Sequence, residues 1–181
     1  MSGANDETFE AMLTGGHPNS LGRTLEVVDT VLADRSRFAD LYQCYFSDDE
    51  IVRLRVSNAV KRVTIEHPDW TMDFMHGLQS DVAAIDQAST QWTLALLFDL
   101  TRDLLSDSQT ARAKEIMKQN LAHHDDWIVL NNSMKVLGKW AKGDADLAEW
   151  LKPHAERLKN DPRKSVASNA RKLEALLGKL G

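Results

Sequence analysis

Two stretches near the end of the chain resemble each other, and they decide the fold. Residues 127–137 read WIVLNNSMKVL, and residues 164–173 read KSVASNARKL. Four pairs of similar or identical residues fall 37 positions apart: Val129 and Val166, Asn132 and Asn169, Lys135 and Lys172, and Val136 and Leu173. A period of about 20 to 50 residues is typical of stacked structural repeats. We therefore predict a repeat array, which offers a surface rather than an enclosed catalytic pocket.

The apolar pattern predicts helices along most of the chain. Apolar residues recur at helical intervals from Ser20 onward, beginning with the stripe Leu21, Leu25, Val28 and Leu32. The helices are expected in pairs. The first or A helices are expected near 38–46, 69–80, 108–122 and 146–159, and the second or B helices near 50–65, 85–104, 127–141 and 163–179. No segment has the alternation of a strand, so the predicted class is all-α, with about four pairs behind an N-terminal helix.

The length predicts one folded domain. Residues 1–18 are polar and contain the break Gly15-Gly16-His17-Pro18, so we expect a flexible N-terminal segment there, in which a short helix is the alternative. Residues 19–181 are expected to form a single helical domain, since domains of about 100 to 200 residues are common.

The composition excludes several classes of protein. No apolar run reaches the length of about 18 residues that a membrane span needs, and the first residues lack the pattern of a secretory signal. Cys44 is the only cysteine, so no internal disulfide is possible. We therefore expect a cytoplasmic protein without a membrane partner.

Charge is distributed unevenly over the chain, whose formal net charge is −5. Residues 1–51 are strongly acidic, whereas residues 152–181 carry eight basic and three acidic side chains. Two solvated faces of opposite sign would explain this asymmetry. A basic end that meets an acidic partner or a phosphate backbone would explain it as well.

The junctions between A and B helices resemble those of HEAT repeats. In that family the B helix begins with aspartate, a short gap and Val-Arg, followed by Ala and Leu at helical spacing. Residues 49–60 read DEIVRLRVSNAV and are close to this pattern, and residues 161–166, DPRKSV, are similar. The second B helix lacks Val-Arg, and Leu130 stands where arginine is expected.

The resemblance to HEAT repeats covers residues 36–180. It implies a right-handed α-α superhelix, an armadillo-like α-solenoid, whose B helices line a concave face. In the family this face often binds proteins or nucleic acids.

Helical phase selects the B-helix residues that can meet a partner on that face. At about 100° per residue, Asn132 and Lys135 lie on a flank of the helix whose core stripe contains Val129. Asn169 and Lys172 take the same positions on the last helix. These side chains either join neighbouring repeats through hydrogen bonds and solvated lysines, or they form a binding strip.

Trp127 completes the candidate partner-binding set. It begins a helix beside Asp125 and Asp126, and we expect its ring to be partly exposed. An exposed tryptophan on a concave face can serve as a binding hot spot or as a stacking platform for bases.

The sequence contains no motif that predicts catalysis, a metal or a cofactor. The adjacent His123 and His124 would diverge by about 100° on a helix, so they are poorly placed to share one ion. Asp99 and Arg102 are spaced for a local salt bridge within a helix.

These features predict a non-enzymatic interaction or scaffold module of the HEAT-repeat type, a monomer or weak oligomer with an unidentified protein partner. The alternative is a DNA-binding protein that resembles alkylpurine DNA glycosylases, which cradle DNA on a basic concave face. Trp127 with Asp125 or Asp126, together with the basic C-terminal end, favours that alternative, and the net negative charge disfavours it.

Overall fold

The computed structural model describes residues 7–180, and every regular element among them is helical. In chain order the α-helices are α1 (Phe9–Leu13), α2 (Thr24–Ala33), α3 (Phe38–Gln43), α4 (Glu50–Glu66), α5 (Pro68–Thr71), α6 (Met75–Gly77), α7 (Ala88–Leu100), α8 (Asp107–His123), α9 (Trp127–Trp140), α10 (Ala145–Leu158) and α11 (Lys164–Gly178). A π-helical turn extends α6, and short 3₁₀ turns adjoin several helices. The all-α class is confirmed, and the paired helices lie where the sequence predicts them to within about one turn.

Contacts between backbone positions divide the chain into two compact units. The boundary falls between Thr93 and Leu94, inside α7, in a stretch where the sequence predicts one domain. The N-terminal unit holds α1–α6, and the C-terminal unit holds α8–α11 with the second part of α7. No helix within residues 7–180 combines the length and apolar character that crossing a bilayer requires.

Helix α4 is the centre of the N-terminal unit. Helices α1, α2 and α3 pack against it, and its own apolar face includes the fully buried Val52, Val56 and Val63. Asp49 caps its first turn, because the carboxylate accepts a hydrogen bond of 2.8 Å from the amide of Ile51.

The buried face of α2 differs from the predicted stripe. Leu21 and Leu25 are 38% and 49% exposed, whereas Val27 and Val31 are fully buried. The helix begins only at Thr24, so Leu21 lies before it and does not share its periodicity. Counting from Leu21 therefore shifts the predicted face around the helix.

Arg55 of α4 holds the loop that follows α1. Its guanidinium is buried and donates to the carbonyl oxygens of Leu13 at 2.7 Å, Gly15 at 2.6 Å, His17 at 3.3 Å and Ser20 at 3.2 Å. No carboxylate within residues 7–180 pairs with it. The loop backbone thus supplies the acceptors that a buried cation requires.

Residues 1–18, predicted as flexible, are described from residue 7 onward. This part contains α1, in which Phe9, Met12 and Leu13 are buried. Thr8 caps the helix by accepting a hydrogen bond from the amide of Ala11 at 3.2 Å. The first six residues lie outside the described part of the chain.

Capping side chains begin the helices of the C-terminal unit. Ser106 forms a capping box at α8, Asp126 caps α9 and Asp144 caps α10. Asp161, just before the last helix, accepts hydrogen bonds from the backbone amide and the guanidinium of Arg163, both at 2.8 Å. Helix α11 therefore begins after Arg163 rather than at the preceding proline.

The four long helices α8–α11 pack as two layers. Helix α9 lies between α8 and α11, and α10 packs against both α11 and α9. Polar contacts join the two A helices, since Lys114 pairs with Asp144 at 2.7 Å and Arg157 donates to the carbonyl oxygen of Leu121 at 3.0 Å. The B helices α9 and α11 thus lie side by side, and α8 and α10 form the second layer.

Candidate functional site

A groove of about 400 Å³ lies between α9 and α11. We call it the α9–α11 groove, and its lining residues are Met134, Lys135, Gly138, Asn169, Lys172, Leu173 and Leu176. Met134 and Leu173 are buried and form an apolar floor with the half-buried Leu176. The polar lining residues comprise two lysines and an asparagine, and none is acidic.

Gly138 explains why the two helices meet closely and still leave a hollow. A methyl group placed on Gly138 would come within 2.8 Å of Leu173 Cδ1 and 3.5 Å of Leu176 Cδ2. Leu173 therefore occupies the space that a side chain at position 138 would need. The absent side chain permits the approach of α11, and the groove extends beside it toward solvent.

The contacts along the groove indicate that α9 and α11 run parallel. Asn131 near the start of α9 donates to Ser165 Oγ near the start of α11 at 3.3 Å. Gly138, two turns later, meets Leu173 and Leu176 two to three turns along α11. The two helices therefore lie side by side with their first turns at the same end.

Three of the five predicted partner-binding residues meet at this groove. Lys135 lies on its α9 side, and Asn169 and Lys172 lie on its α11 side. Both lysines are exposed, and neither forms an ion pair within the described residues. The next exposed lysine of α9 differs, because Lys139 pairs with Asp99 at 2.9 Å.

Asn132 and Trp127 do not line the groove. The groove is lined by Asn169 of α11 but not by its counterpart Asn132 of α9. Asn132 is half-buried, and Trp127 is 49% exposed at the start of α9, as expected from its position. Asn131, the neighbour of Asn132, joins the two helices by donating a hydrogen bond to Ser165 Oγ at 3.3 Å.

The basic end of the chain is only partly neutralised. Lys152 pairs with Glu149, Lys159 with Glu156 and Glu174, and Arg163 with Asp161. The remaining cations of α11 and its C-cap form no ion pair within residues 7–180: Lys164, Arg171, Lys172 and Lys179. Their spacing of seven and eight residues places them on one exposed face, which we call the cationic face of α11.

Hydrogen-bonded ion pairs shift the pKa values of charged groups at the basic end of the chain. Hydrogen bonds from Arg163 lower the pKa of Asp161 to about 2. Bonds to Glu156 and Glu174 raise the pKa of Lys159. These charges are already engaged within the unit, whereas the charge of the α9–α11 groove faces solvent.

The predicted salt bridge between Asp99 and Arg102 is wrong. Asp99 accepts from Trp140 Nε1 at 3.0 Å as well as from Lys139. Arg102 lies over the Trp140 ring at 4.7 Å and donates to Thr110 Oγ1 at 3.2 Å. Arg102 belongs to a 3₁₀ turn after α7 ends, so the helical spacing on which the prediction depended is lost.

The histidine, cysteine and acidic side chains of residues 7–180 do not gather into a metal site. No group of three or more of them is arranged for a metal ion. His124 Nδ1 instead accepts from the amide of Asp126 at 3.0 Å, which helps to close the turn before α9. Burial raises the pKa of the Cys44 thiol to about 11, so at neutral pH it is protonated and a poor nucleophile.

Comparisons with known proteins identify no relative of the chain. No model of a protein family matches it. No protein of established function and no solved structure matches it at a significant level. The function is therefore inferred from the residues and geometry of the α9–α11 groove.

Proposed function

We propose that this protein is a non-enzymatic interaction module of the HEAT-repeat type, which binds a protein partner at the α9–α11 groove. The observation that carries the proposal is the combination of an apolar floor with two solvent-facing lysines that lack an internal partner. A binding surface typically has a desolvated apolar centre and a polar rim. The groove has both parts on two well-packed helices.

Long-range contacts support the repeat arrangement. In each unit, polar side chains reach elements about one repeat away in sequence. In the N-terminal unit the bonded residues are 34 to 38 positions apart in sequence: Arg53–Gln87, Gln87–Glu50 and Arg35–Asp73. In the C-terminal unit they are 34 to 41 positions apart: Asn131–Ser165, Arg157–Leu121, Arg163–Asp125, Lys139–Asp99 and Trp140–Asp99. In a solenoid each repeat contacts its neighbours, so contacts cluster near one period, here close to the 37 residues between the two similar stretches.

Affinity capture with matched variants tests the proposal. The protein is immobilised and exposed to an extract of the cells that produce it, as the wild type, as Lys135→Glu/Lys172→Glu and as the control Lys142→Glu/Lys152→Glu. All four lysines are exposed, and only the first pair lines the groove. We expect that both the wild type and the control capture a protein that the groove variant fails to capture. Capture of the same proteins by all three forms would contradict the proposal.

The cationic face of α11 favours a second candidate function, the binding of nucleic acid. One of its four cations, Lys172, lies across the groove from Lys135, and phosphate backbones bind strips of such cations. The net charge of −5 opposes this function. A gel-shift experiment with a non-specific DNA duplex at low salt distinguishes the two candidates, because backbone binding is strongest there. We expect no shift at micromolar protein, and a salt-sensitive shift would favour nucleic acid instead.

A further inference from the structure

We infer that the α9–α11 groove receives an acidic segment of a partner protein, which places a large apolar side chain on the groove floor between Lys135 and Lys172. This inference rests on the proposed function and adds the chemistry of the partner. It follows from the shape of the floor, from the charge of the lining and from a comparison with the other hollows of the surface.

The floor fits an apolar side chain. Met134 and Leu173 are buried, Leu176 is half-buried, and Gly138 contributes only backbone. The volume of about 400 Å³ lies at the lower end of the range of about 300 to 1,000 Å³ that is common for small-ligand sites. A site of this size accommodates one or two side chains rather than a whole folded element.

The charge of the lining selects an acidic segment. Lys135 and Lys172 flank the floor, and no lining residue is acidic. Arg171 continues the positive charge along the cationic face of α11. The one acidic residue of α11, Glu174, is held by Lys159 at 2.8 Å and does not line the groove. Carboxylates of a partner would meet two lysines with no internal competitor.

Four other hollows of the described surface have acidic residues in their lining. A hollow beside α1 contains the carboxylates of Glu7, Glu10 and Asp40 together with Arg37. The two hollows near the end of α11 and the one beside α3 each include at least one carboxylate. Carboxylates offset the cations at those hollows, whereas all the charged residues that line the α9–α11 groove are cationic. A strand of nucleic acid would use the same lysines, but it has no apolar side chain for the floor.

Synthetic peptides test the inference directly. The probes are fluorescein-labelled helical peptides of about four turns with leucines at positions i and i+4, which lie on one face. Three versions carry Glu, Gln or Lys at the remaining exposed positions, and a fourth carries Glu with alanine in place of both leucines. Fluorescence anisotropy measures their affinities at about 0.05 M and 0.5 M NaCl, where the Debye length falls from about 14 Å to 4 Å.

We expect the Glu–Leu peptide to bind the wild type most tightly. Its affinity should fall at least about tenfold without the leucines and about tenfold in Lys135→Glu/Lys172→Glu, because both the floor and the rim contribute. The control Lys142→Glu/Lys152→Glu, which has the same net charge, should bind within about twofold of the wild type. Circular dichroism and thermal unfolding confirm that each variant is folded.

Three results would overturn the inference. Equal binding of the Glu–Leu and Gln–Leu peptides would remove the role of charge, and it would leave the groove as a protein-binding site. Equal affinity of the wild type and the groove variant would place the peptide elsewhere. Absence of binding by the Glu–Leu peptide up to about 1 mM would exclude an acidic partner of this kind. In that case affinity capture decides separately whether the proposed function survives.

Discussion

Replacement of Gly138 by alanine tests the close packing that creates the α9–α11 groove. In an isolated helix this substitution stabilises by about 1 kcal/mol, because alanine has the higher helix propensity. Here the new methyl group would lie 2.8 Å from Leu173 Cδ1, well inside van der Waals contact. Leu173 is 4% exposed, so it has little room to move. Overpacking of a core typically costs about 1 to 3 kcal/mol.

The two effects oppose each other, and the steric effect is the larger one. We expect Gly138→Ala to destabilise the protein by about 1 kcal/mol, which corresponds to a fall of about 2 to 4 °C in Tm for a chain of this length. Gly178→Ala is the matched control. Gly178 is also helical, and a methyl group there would meet nothing within 4 Å. It should be neutral or stabilising by a few tenths of a kcal/mol, because it lies at the end of α11.

Urea unfolding followed by circular dichroism gives the free energies of unfolding of both variants. Amide hydrogen exchange then locates the change, which should appear as faster exchange in α9 and α11. If Gly138→Ala stabilises the protein as much as Gly178→Ala or more, the close approach of Leu173 is refuted, and with it the described shape of the groove.

Three further predictions concern other parts of the molecule. Arg55→Met should lower the free energy of unfolding by about 3 kcal/mol and make the loop at residues 14–20 sensitive to proteolysis, because four carbonyl oxygens lose their donor; unchanged cleavage would contradict this. Cys44 should resist a thiol reagent at about pH 8 in the native protein and react after denaturation, since it is buried and its pKa is about 11; rapid native labelling would contradict this. Asp161→Asn should cost about 1 kcal/mol at neutral pH. Folding lowers the pKa of Asp161 from 3.8 to about 2, so its carboxylate contributes fully to stability above pH 3.8, and this contribution is lost as the pH falls through about 2. If the wild type and Asp161→Asn lost stability equally as the pH falls, this prediction would be contradicted.

The positions of the helices could be predicted because their signals are local. Asp49 caps α4 by accepting a hydrogen bond from the amide of Ile51, and Asp126 caps α9 by accepting one from the amide of Ile128. Such caps join residues that are close in sequence, so the sequence alone can predict them. Leu21 shows the limit of this reasoning. It fits the helical period, but the helix begins three residues later, and only packing against α4 selects the buried face.

The groove could be predicted only in part. Helical phase identified Lys135 and Lys172 as solvent-facing, and the structure places both at one groove. Helical phase does not show which neighbouring helix a flank faces, so it groups Asn132 with Asn169 although only Asn169 lines the groove. Gly138 carried no signal on its own, because a glycine within a helical pattern gains its meaning from Leu173 on another helix.

The role of Arg55 in holding the loop after α1 could not be predicted from the sequence. The sequence around it resembles the B helix of a HEAT repeat, and a charged side chain within a helix is ordinarily expected on the surface. Its four acceptors are backbone carbonyl oxygens of a loop about 35 to 42 residues earlier, and backbone acceptors leave no pattern in side-chain identity.

The measurement that tests the central claim most directly is an NMR titration of the isotopically labelled protein with the Glu–Leu peptide. Perturbed amides report where the peptide binds without any substitution in the protein. We predict that the shifts concentrate at Lys135, Gly138, Lys172 and Leu176, on both sides of the α9–α11 groove, and that the alanine-substituted peptide produces much smaller shifts at the same concentration. Shifts centred elsewhere in the chain, or equal shifts with both peptides, would contradict the assignment of this groove as the interaction site.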